Sequence, residues 1–239
     1  MTYCVAMRLE SGMVFVADSR TNAGVYHIAT FRKVHIFSFP DERLIILMSS
    51  GNLATTQSVV SLLRMRAHTD QPNLFGCDSL FDAAEIVGRT VREVIDRDKG
   101  TQQKQVDFGC NMIIGGQVKG EDMRLFHVYP EGNFIEASED TPYVQIGEIK
   151  YGKPIIDRVV SFNTPLDQAA KCALISMDST IRSNLSVGMP LDLVLYRKDQ
   201  FGSCEQYDVQ EQHKGYQRLR DAWSRGLRKT FEKLPDLEL

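Results

Sequence analysis

Hydrophobic and polar residues alternate from the second position of the chain onward, in the manner of β-strands. TYCVAMRL and MVFVADSR are two such segments, and ESG with Gly12 separates them. A short glycine-containing connection between two alternating segments predicts a β-hairpin. KVHIFSF and LIILMSS predict a second hairpin, joined by the typical turn residues of PDER. Between the two hairpins, the polar stretch TNAGVYHIATF predicts a loop.

After SGN the spacing of apolar residues changes to that of helices. ATTQSVVSLLRMRAH predicts a first helix, which Ser50 or Asn52 could cap. Four more stretches predict helices: DSLFDAAEIVGRTVREVIDRDK, YGKPIIDRVVSF, PLDQAAKCALISMDSTIRSNLS and KGYQRLRDAWSRGLRKTFEKL. Five stretches bounded by turn residues predict further strands: FGCNMIIGGQ, MRLFHVYP, NFIEAS, YVQIG and MPLDLVLYRKD.

The order of the predicted elements indicates the fold class. Strands come in blocks of neighbouring hairpins, which favours antiparallel sheets over a β–α–β alternation. Blocks of strands and blocks of helices together predict an α+β protein, a four-layer α–β–β–α sandwich of two packed antiparallel sheets flanked by helices. Since no linker or repeat interrupts the pattern, we expect one domain over residues 1–239.

Composition narrows the classes of function. The 239 residues are 43% apolar and carry a net charge of -3, which predicts a sizeable core and no general affinity for nucleic acid or membrane. The N-terminus shows no secretory signal pattern, so we expect a cytoplasmic protein. Five dispersed cysteines without a CxxC pair, and histidines without ligand spacing, predict reduced thiols and no metal site.

Three residues near the N-terminus are candidates for catalysis. If Met1 is removed, Thr2 carries a hydroxyl and a free α-amine, a pairing that can activate a threonine as a nucleophile. Lys33 opens an otherwise apolar strand, where a buried ammonium needs a compensating partner. Asp18, at the end of the second strand, is the obvious candidate for that partner.

Several stretches in order also resemble a known family. MTYCVAMRLESGMVFVADSRTNAG, TFRKVHIF, LMSSGN, GCNMIIGGQ, QIGEIKYGKPI and SMDSTIRSNLSVGMPLDL resemble proteasome-type β-subunits of the N-terminal-nucleophile hydrolases, especially their bacterial ancestral β-subunits. The resemblance implies that Thr2 is the catalytic threonine, Lys33 the catalytic lysine and Asp18 the aspartate that holds it. It places the oxyanion hole at the turn of Ser50 and Gly51.

Two positions depart from the family pattern. In RSNLSVG, Ser183 stands where the family has an aspartate that supports the threonine amine, and Ser186 matches the family serine. In GEIKYG, Glu148 stands where a serine is expected, and a buried Glu148 could supply the missing negative charge. Ser183 and Ser186 could also simply end a helix, and Glu148 could be a solvated loop acid.

The resemblance implies a threonine-type peptidase without metal or organic cofactor. Its partners would be a peptide or unfolded protein substrate and further copies of the chain, in a ring or an open helical spiral; the sequence does not indicate whether an ATP-driven unfoldase delivers substrate. Two alternatives stay open: a non-catalytic or weakly active assembly protein, and an amidase for small or special amide linkages. Cys4, inside an apolar strand, is expected to be inert core, and the basic last helix to face solvent or a neighbouring subunit.

Overall fold

The computed structural model describes residues 2–22, 28–99 and 106–237. Its strands are β1 Tyr3–Leu9, β2 Gly12–Asp18, β3 Arg20–Asn22, β4 Ile28–Thr30, β5 Val34–Phe39, β6 Arg43–Gly51, β7 Cys110–Val118, β8 Arg124–Val128, β9 Phe134–Glu136, β10 Tyr143–Gly147, β11 Leu191–Arg197 and β12 Glu205–Val209. Its helices are α1 Leu53–Arg66, α2 Leu80–Lys99, α3 Lys153–Val159, α4 Leu166–Ser183 and α5 Lys214–Phe231.

Ten of the strands form two five-stranded sheets in which every pairing is antiparallel. The first sheet has the order β10-β1-β2-β11-β12, and the second has the order β5-β6-β7-β8-β9. The strands β3 and β4 pair with each other in a small two-stranded ribbon. The predicted pair of antiparallel sheets flanked by helices is therefore confirmed.

Three apolar clusters hold the layers together. One lies between the two sheets and includes Phe15 and Met13 from β2 and Ile46 from β6. The other two fill the outer faces: α1 and α2 cover the second sheet, and α3, α4 and α5 cover the first. Gly115 on β7 leaves room between the sheets, because a Cβ there would lie within about 3 Å of the ends of both Phe15 and Met13. The sheets thus approach each other closely where β7 faces β2.

The structure corrects the sequence prediction in two places. The stretch predicted as a loop between the hairpins contains β3 and β4, while its residues 23–27 lie outside the described residues. The edge strand β12 was not predicted, because most of its residues are polar or exposed and give no alternation of apolar positions. Of the two cap candidates for α1, the cap is Asn52, whose side chain accepts a hydrogen bond from the Thr55 amide.

The last helix is attached to the body mainly through its first half. Tyr216 is buried against the outer face of the first sheet, and the Arg220 Nε lies 2.7 Å from Oδ1 of the buried Asp178 on α4. Leu227 and Phe231, in the second half, are exposed. In the parts of the chain that the structure describes, no helix is both long and apolar enough to cross a bilayer.

Candidate active site

Asp18 lies at the end of β2, beside the first residues of β1. Its side chain is fully buried, and its Oδ1 accepts a hydrogen bond from the Tyr3 amide at 2.9 Å. Because β1 and β2 are paired in an antiparallel register that sets Cys4 opposite Ala17, the end of β2 is held next to the start of β1. The carboxylate is therefore fixed one residue from Thr2.

Lys33 lies just before β5, a strand of the second sheet, and its side chain extends to Asp18 on the first sheet. Its Nζ is 2.9 Å from Asp18 Oδ1 and donates a second hydrogen bond to the Arg20 carbonyl oxygen at 2.7 Å. Lys33 is also buried, so the ammonium depends on these partners in place of water. Burial raises the pKa of Asp18 above its ordinary range, while Lys33 and the Tyr3 amide oppose that rise.

The same carboxylate oxygen therefore binds Lys33 Nζ and the Tyr3 amide. Because each nitrogen lies 2.9 Å from Asp18 Oδ1, the lysine ammonium and the Tyr3 amide must lie close to each other. This contact brings the lysine next to the start of β1, as predicted from the need of a buried ammonium for a counter-charge.

Thr2 precedes β1 and is anchored by the turn that follows β10. Its carbonyl oxygen accepts a hydrogen bond from the Glu148 amide at 2.8 Å. Gly147 has a φ of 84°, in the left-handed region, and a Cβ at this position would overlap the Thr2 carbonyl oxygen. A glycine is thus required for the turn to approach the threonine this closely.

Thr2, Lys33, Ser50, Gly51 and Glu148 line one cleft of about 840 Å³. Gly51 ends β6 with a φ of 111°, and its neighbour Asn52 caps the N-terminus of α1. The strand-to-helix turn therefore places a helix N-terminus, with its favourable electrostatic potential for anions, at the wall of the cleft.

Glu148 carries a carboxylate into the same cleft. Its side chain is only 14% exposed, and Oε2 is buried without a hydrogen bond from any residue that the structure describes. Lys150 Nζ lies 3.6 Å from that oxygen, and the lysine side chain is largely exposed. The site consequently contains a second carboxylate besides Asp18, and this one forms no ion pair with Lys33.

His35 lies on the cleft wall, two residues after Lys33. Burial and the nearby Arg64 guanidinium lower its pKa to about 4. At neutral pH the imidazole is therefore uncharged, and it contributes hydrogen-bonding capacity to the cleft without adding to its positive charge.

Comparison with known proteins identifies the family. The model of the proteasome subunit family matches residues 2–194. A solved structure of Anbu, the ancestral β-subunit, from Yersinia bercovieri is 59% identical, with a TM-score of 0.94 over 99% of both chains. The chain is an Anbu-type member of the proteasome subunit family.

Two further relatives agree with that placement. The Anbu complex from Pseudomonas aeruginosa, solved as a helical assembly, is 51% identical, with a TM-score of 0.96 over 99% of this chain and 98% of that one. Proteasome subunit beta 1 from Pyrobaculum aerophilum is 25% identical over 206 residues, which is 84% of this chain and 93% of that protein.

The two serines with expected supporting roles lie at the end of α4. Ser183 is the last residue of the helix and is exposed, and Ser186 follows in the loop, where its amide donates to the Asn184 side chain. Neither is among the residues that line the cleft. Glu148, by contrast, lines the cleft together with Thr2.

The structure adds contacts that sequence reasoning did not supply. Tyr3 binds Asp18 through its amide, and the Arg20 carbonyl binds Lys33. Neither contact leaves a signal in side-chain type, because both use backbone groups. Cys4, by contrast, behaves as expected: it is fully buried between the sheets, and burial raises its pKa well above the usual range, which disfavours the reactive thiolate.

Proposed function

We propose that this chain is a threonine-type N-terminal-nucleophile peptidase in which Thr2, exposed by removal of Met1, attacks a peptide bond. The observation that carries the proposal is the buried Asp18 carboxylate, which holds the Lys33 ammonium and the Tyr3 amide on one oxygen. A structural core gains little from two buried charges that hydrophobic residues could replace. A nucleophile that needs a fixed cation beside it accounts for their presence.

In the proposed reaction the Thr2 hydroxyl loses its proton to the Thr2 α-amine as the oxygen attacks the peptide carbonyl carbon. The unperturbed pKa of an α-amine, about 7.7–8.0, suits it to act as general base near neutral pH. Collapse of the tetrahedral intermediate breaks the C–N bond, and the leaving amine takes the proton. Water then hydrolyses the acyl ester, which regenerates the hydroxyl and releases the carboxylic acid.

Lys33 and Glu148 would act on opposite sides of this proton transfer. The Lys33 ammonium stabilises the alkoxide character that develops on the Thr2 oxygen and keeps the amine in its unprotonated form. The Glu148 carboxylate stabilises the amine once it has taken the proton. Asp18 has the separate role of compensating and positioning Lys33.

The negative charge on the carbonyl oxygen would be stabilised at the turn of Ser50 and Gly51. Backbone amides at this turn, and the N-terminus of α1 behind it, favour an oxyanion without further rearrangement. The proposed oxyanion hole thus uses the same strand-to-helix connection that closes one wall of the cleft.

We also propose that copies of this chain assemble with one another, in a ring or an open spiral, and that the protein works in the cytoplasm on peptides or unfolded segments. The helical assembly of the related Anbu complex supports self-association. All five cysteines are free, which fits a reducing compartment.

An epoxyketone that reacts with N-terminal threonines tests the catalytic proposal. After intact-mass analysis has established that Met1 is absent, wild type should gain one adduct on Thr2, and Thr2→Ala should gain none. Equal labelling of the two proteins contradicts the assignment of Thr2. Absence of labelling in a well-assembled wild type favours the non-catalytic alternative, and labelling without cleavage of any peptide favours the amidase.

A further inference from the structure

The side chain of Tyr3 forms a hydrogen-bond network with α4 and β10, whereas its backbone amide binds Asp18. Tyr3 follows the proposed nucleophile directly and is fully buried. Its hydroxyl lies 2.6 Å from Ser176 Oγ, in the middle of α4, and accepts a hydrogen bond from the Gln145 amide group on β10. One phenol therefore joins the nucleophile strand to a helix and to the neighbouring strand.

The turn that holds Thr2 is packed against this network. Gly152, just before α3, has no room for a side chain, because a Cβ there would overlap both Ser176 Oγ and the Tyr3 hydroxyl. Glu148, at the other end of the turn, donates its amide to the Thr2 carbonyl. The network thus contacts one end of the segment 147–152, and Thr2 contacts the other.

Burial makes the network costly to leave incomplete. Ser176, like Tyr3, is fully buried, and burial raises the pKa of the Tyr3 phenol well above its usual range, so the hydroxyl keeps its proton. It can therefore donate to Ser176 while accepting from Gln145, and losing the Ser176 bond leaves a buried hydroxyl with one partner fewer.

We propose that Tyr3 is a positioning residue, whose hydroxyl aligns Thr2 with the turn 147–152 by locking β1 to Ser176 and Gln145. This inference deepens the proposed function and rests on it for the expected effect on catalysis. The expected effect on the position of Thr2 holds whether or not Thr2 is catalytic. The amide of residue 3 keeps Asp18 in place, and the hydroxyl keeps the strand and the turn in register.

The variants Tyr3→Phe and Ser176→Ala both remove the Tyr3–Ser176 hydrogen bond while preserving the packing, and Tyr3→Phe also removes the bond from Gln145. Tyr196→Phe is the matched control: Tyr196 is also fully buried and donates its hydroxyl to Gln117 at 2.7 Å, but it pairs with Met13 at the end of the first sheet away from Asp18. Amide hydrogen exchange at residues 3 and 148 reports the Asp18 and Thr2 contacts directly. The first two variants should accelerate exchange at both amides by about tenfold or more, and the control should leave it unchanged.

Covalent labelling by the epoxyketone provides the second measurement. The first-order rate of adduct formation should fall by on the order of 10- to 100-fold in Tyr3→Phe and Ser176→Ala, with the half-saturating concentration unchanged, since a small misplacement of a nucleophile slows chemistry more than binding. Combining the two substitutions should slow labelling no further than Tyr3→Phe alone, because the phenylalanine already lacks the hydrogen bond to Ser176.

The outcomes separate the two proposals. Faster exchange in the variants with no labelling of wild type supports the positioning role and overturns the peptidase proposal. Unchanged exchange in Tyr3→Phe, or labelling slowed equally in Tyr196→Phe, overturns the positioning role whether or not wild type is labelled.

Discussion

The Lys33 ammonium lies 2.9 Å from the Asp18 carboxylate across the gap between the two sheets, with both side chains buried. A buried pair of this kind does not tolerate the loss of one member alone. Removing one leaves a buried charge without a partner, which typically costs about 3–5 kcal/mol.

Lys33→Met should therefore reduce the free energy of unfolding by about 3–5 kcal/mol at neutral pH. Without the ammonium, burial raises the pKa of Asp18 further, so the deficit should shrink as the pH falls and the carboxyl takes a proton. Urea denaturation across this pH range measures both effects. The double variant with Asp18→Asn should be more stable than Lys33→Met alone, since the asparagine can still accept from the Tyr3 amide. A double variant less stable than the single one contradicts the account.

Gly147 provides a test of the turn that holds Thr2. Gly147→Ala should abolish epoxyketone labelling, because the added Cβ overlaps the Thr2 carbonyl oxygen and displaces the nucleophile. The matched control is Gly120→Ala, at a φ of 90° with nothing within 4 Å of the added Cβ. That variant should cost only the backbone strain of a left-handed alanine, about 1–2 kcal/mol, with labelling unchanged. Labelling rates and melting temperatures, measured on both variants, separate displacement of Thr2 from loss of stability. Equal labelling of both variants would show that the turn does not position Thr2.

The charge on Glu148 should set the acid limb of the pH–rate profile. A nearby carboxylate raises the pKa of the Thr2 amine, so Glu148→Gln should move the acid limb to lower pH by on the order of one unit. Lys150→Gln should move it slightly the other way, because it removes a cation 3.6 Å from Glu148 Oε2 that is largely exposed and screened. Labelling rates from pH 5 to pH 9 test both signs. A profile that Glu148→Gln leaves in place would show that the carboxylate does not act on the amine.

His35 should make stability depend on pH in the acid range. Its pKa is lowered to about 4 in the folded protein, against about 6.5 in the unfolded chain. The unfolded state therefore gains a proton first, and stability falls as the pH drops from about 6.5 to about 4, by about 1–3 kcal/mol once exposure is allowed for. His35→Gln should show a smaller loss between these pH values, measured by urea unfolding. An NMR titration of the imidazole should find it neutral at pH 6, and a midpoint near 6.5 would contradict this prediction.

Alternation and helical spacing predicted most of the fold, because most strands bury at least one apolar face and most helices show an amphipathic pattern. The exposed edge strand β12 escaped prediction for the same reason, since it lacks that pattern. Similarly, the pairing of Lys33 with Asp18 could be inferred from the cost of burying an ammonium, without knowledge of the path of the chain. Sequence offers no equivalent rule for Tyr3 and Ser176, which lie 173 positions apart and are paired only by packing.

Ser183 and Glu148 show the limit of assigning roles by position along the chain. Both were named as supports for the Thr2 amine, from matches to a pattern of residues. The structure puts Glu148 in the cleft and Ser183 on the surface at the end of α4. Glu148 lies in the turn that directly follows β10 and contacts Thr2, whereas Ser183 ends α4, where the chain continues into a loop in which the Ser186 amide binds the Asn184 side chain.

The contacts on either side of the Thr2–Tyr3 peptide also restrict how the length of the chain can vary. The Glu148 amide donates to the Thr2 carbonyl oxygen, and the Tyr3 amide donates to Asp18. Gly152 packs against the Tyr3 hydroxyl with no room for a side chain. An insertion or deletion of even one residue between Gly147 and Gly152 would break these contacts. Among related chains, the spacing of these two glycines should therefore vary less than the residues between them.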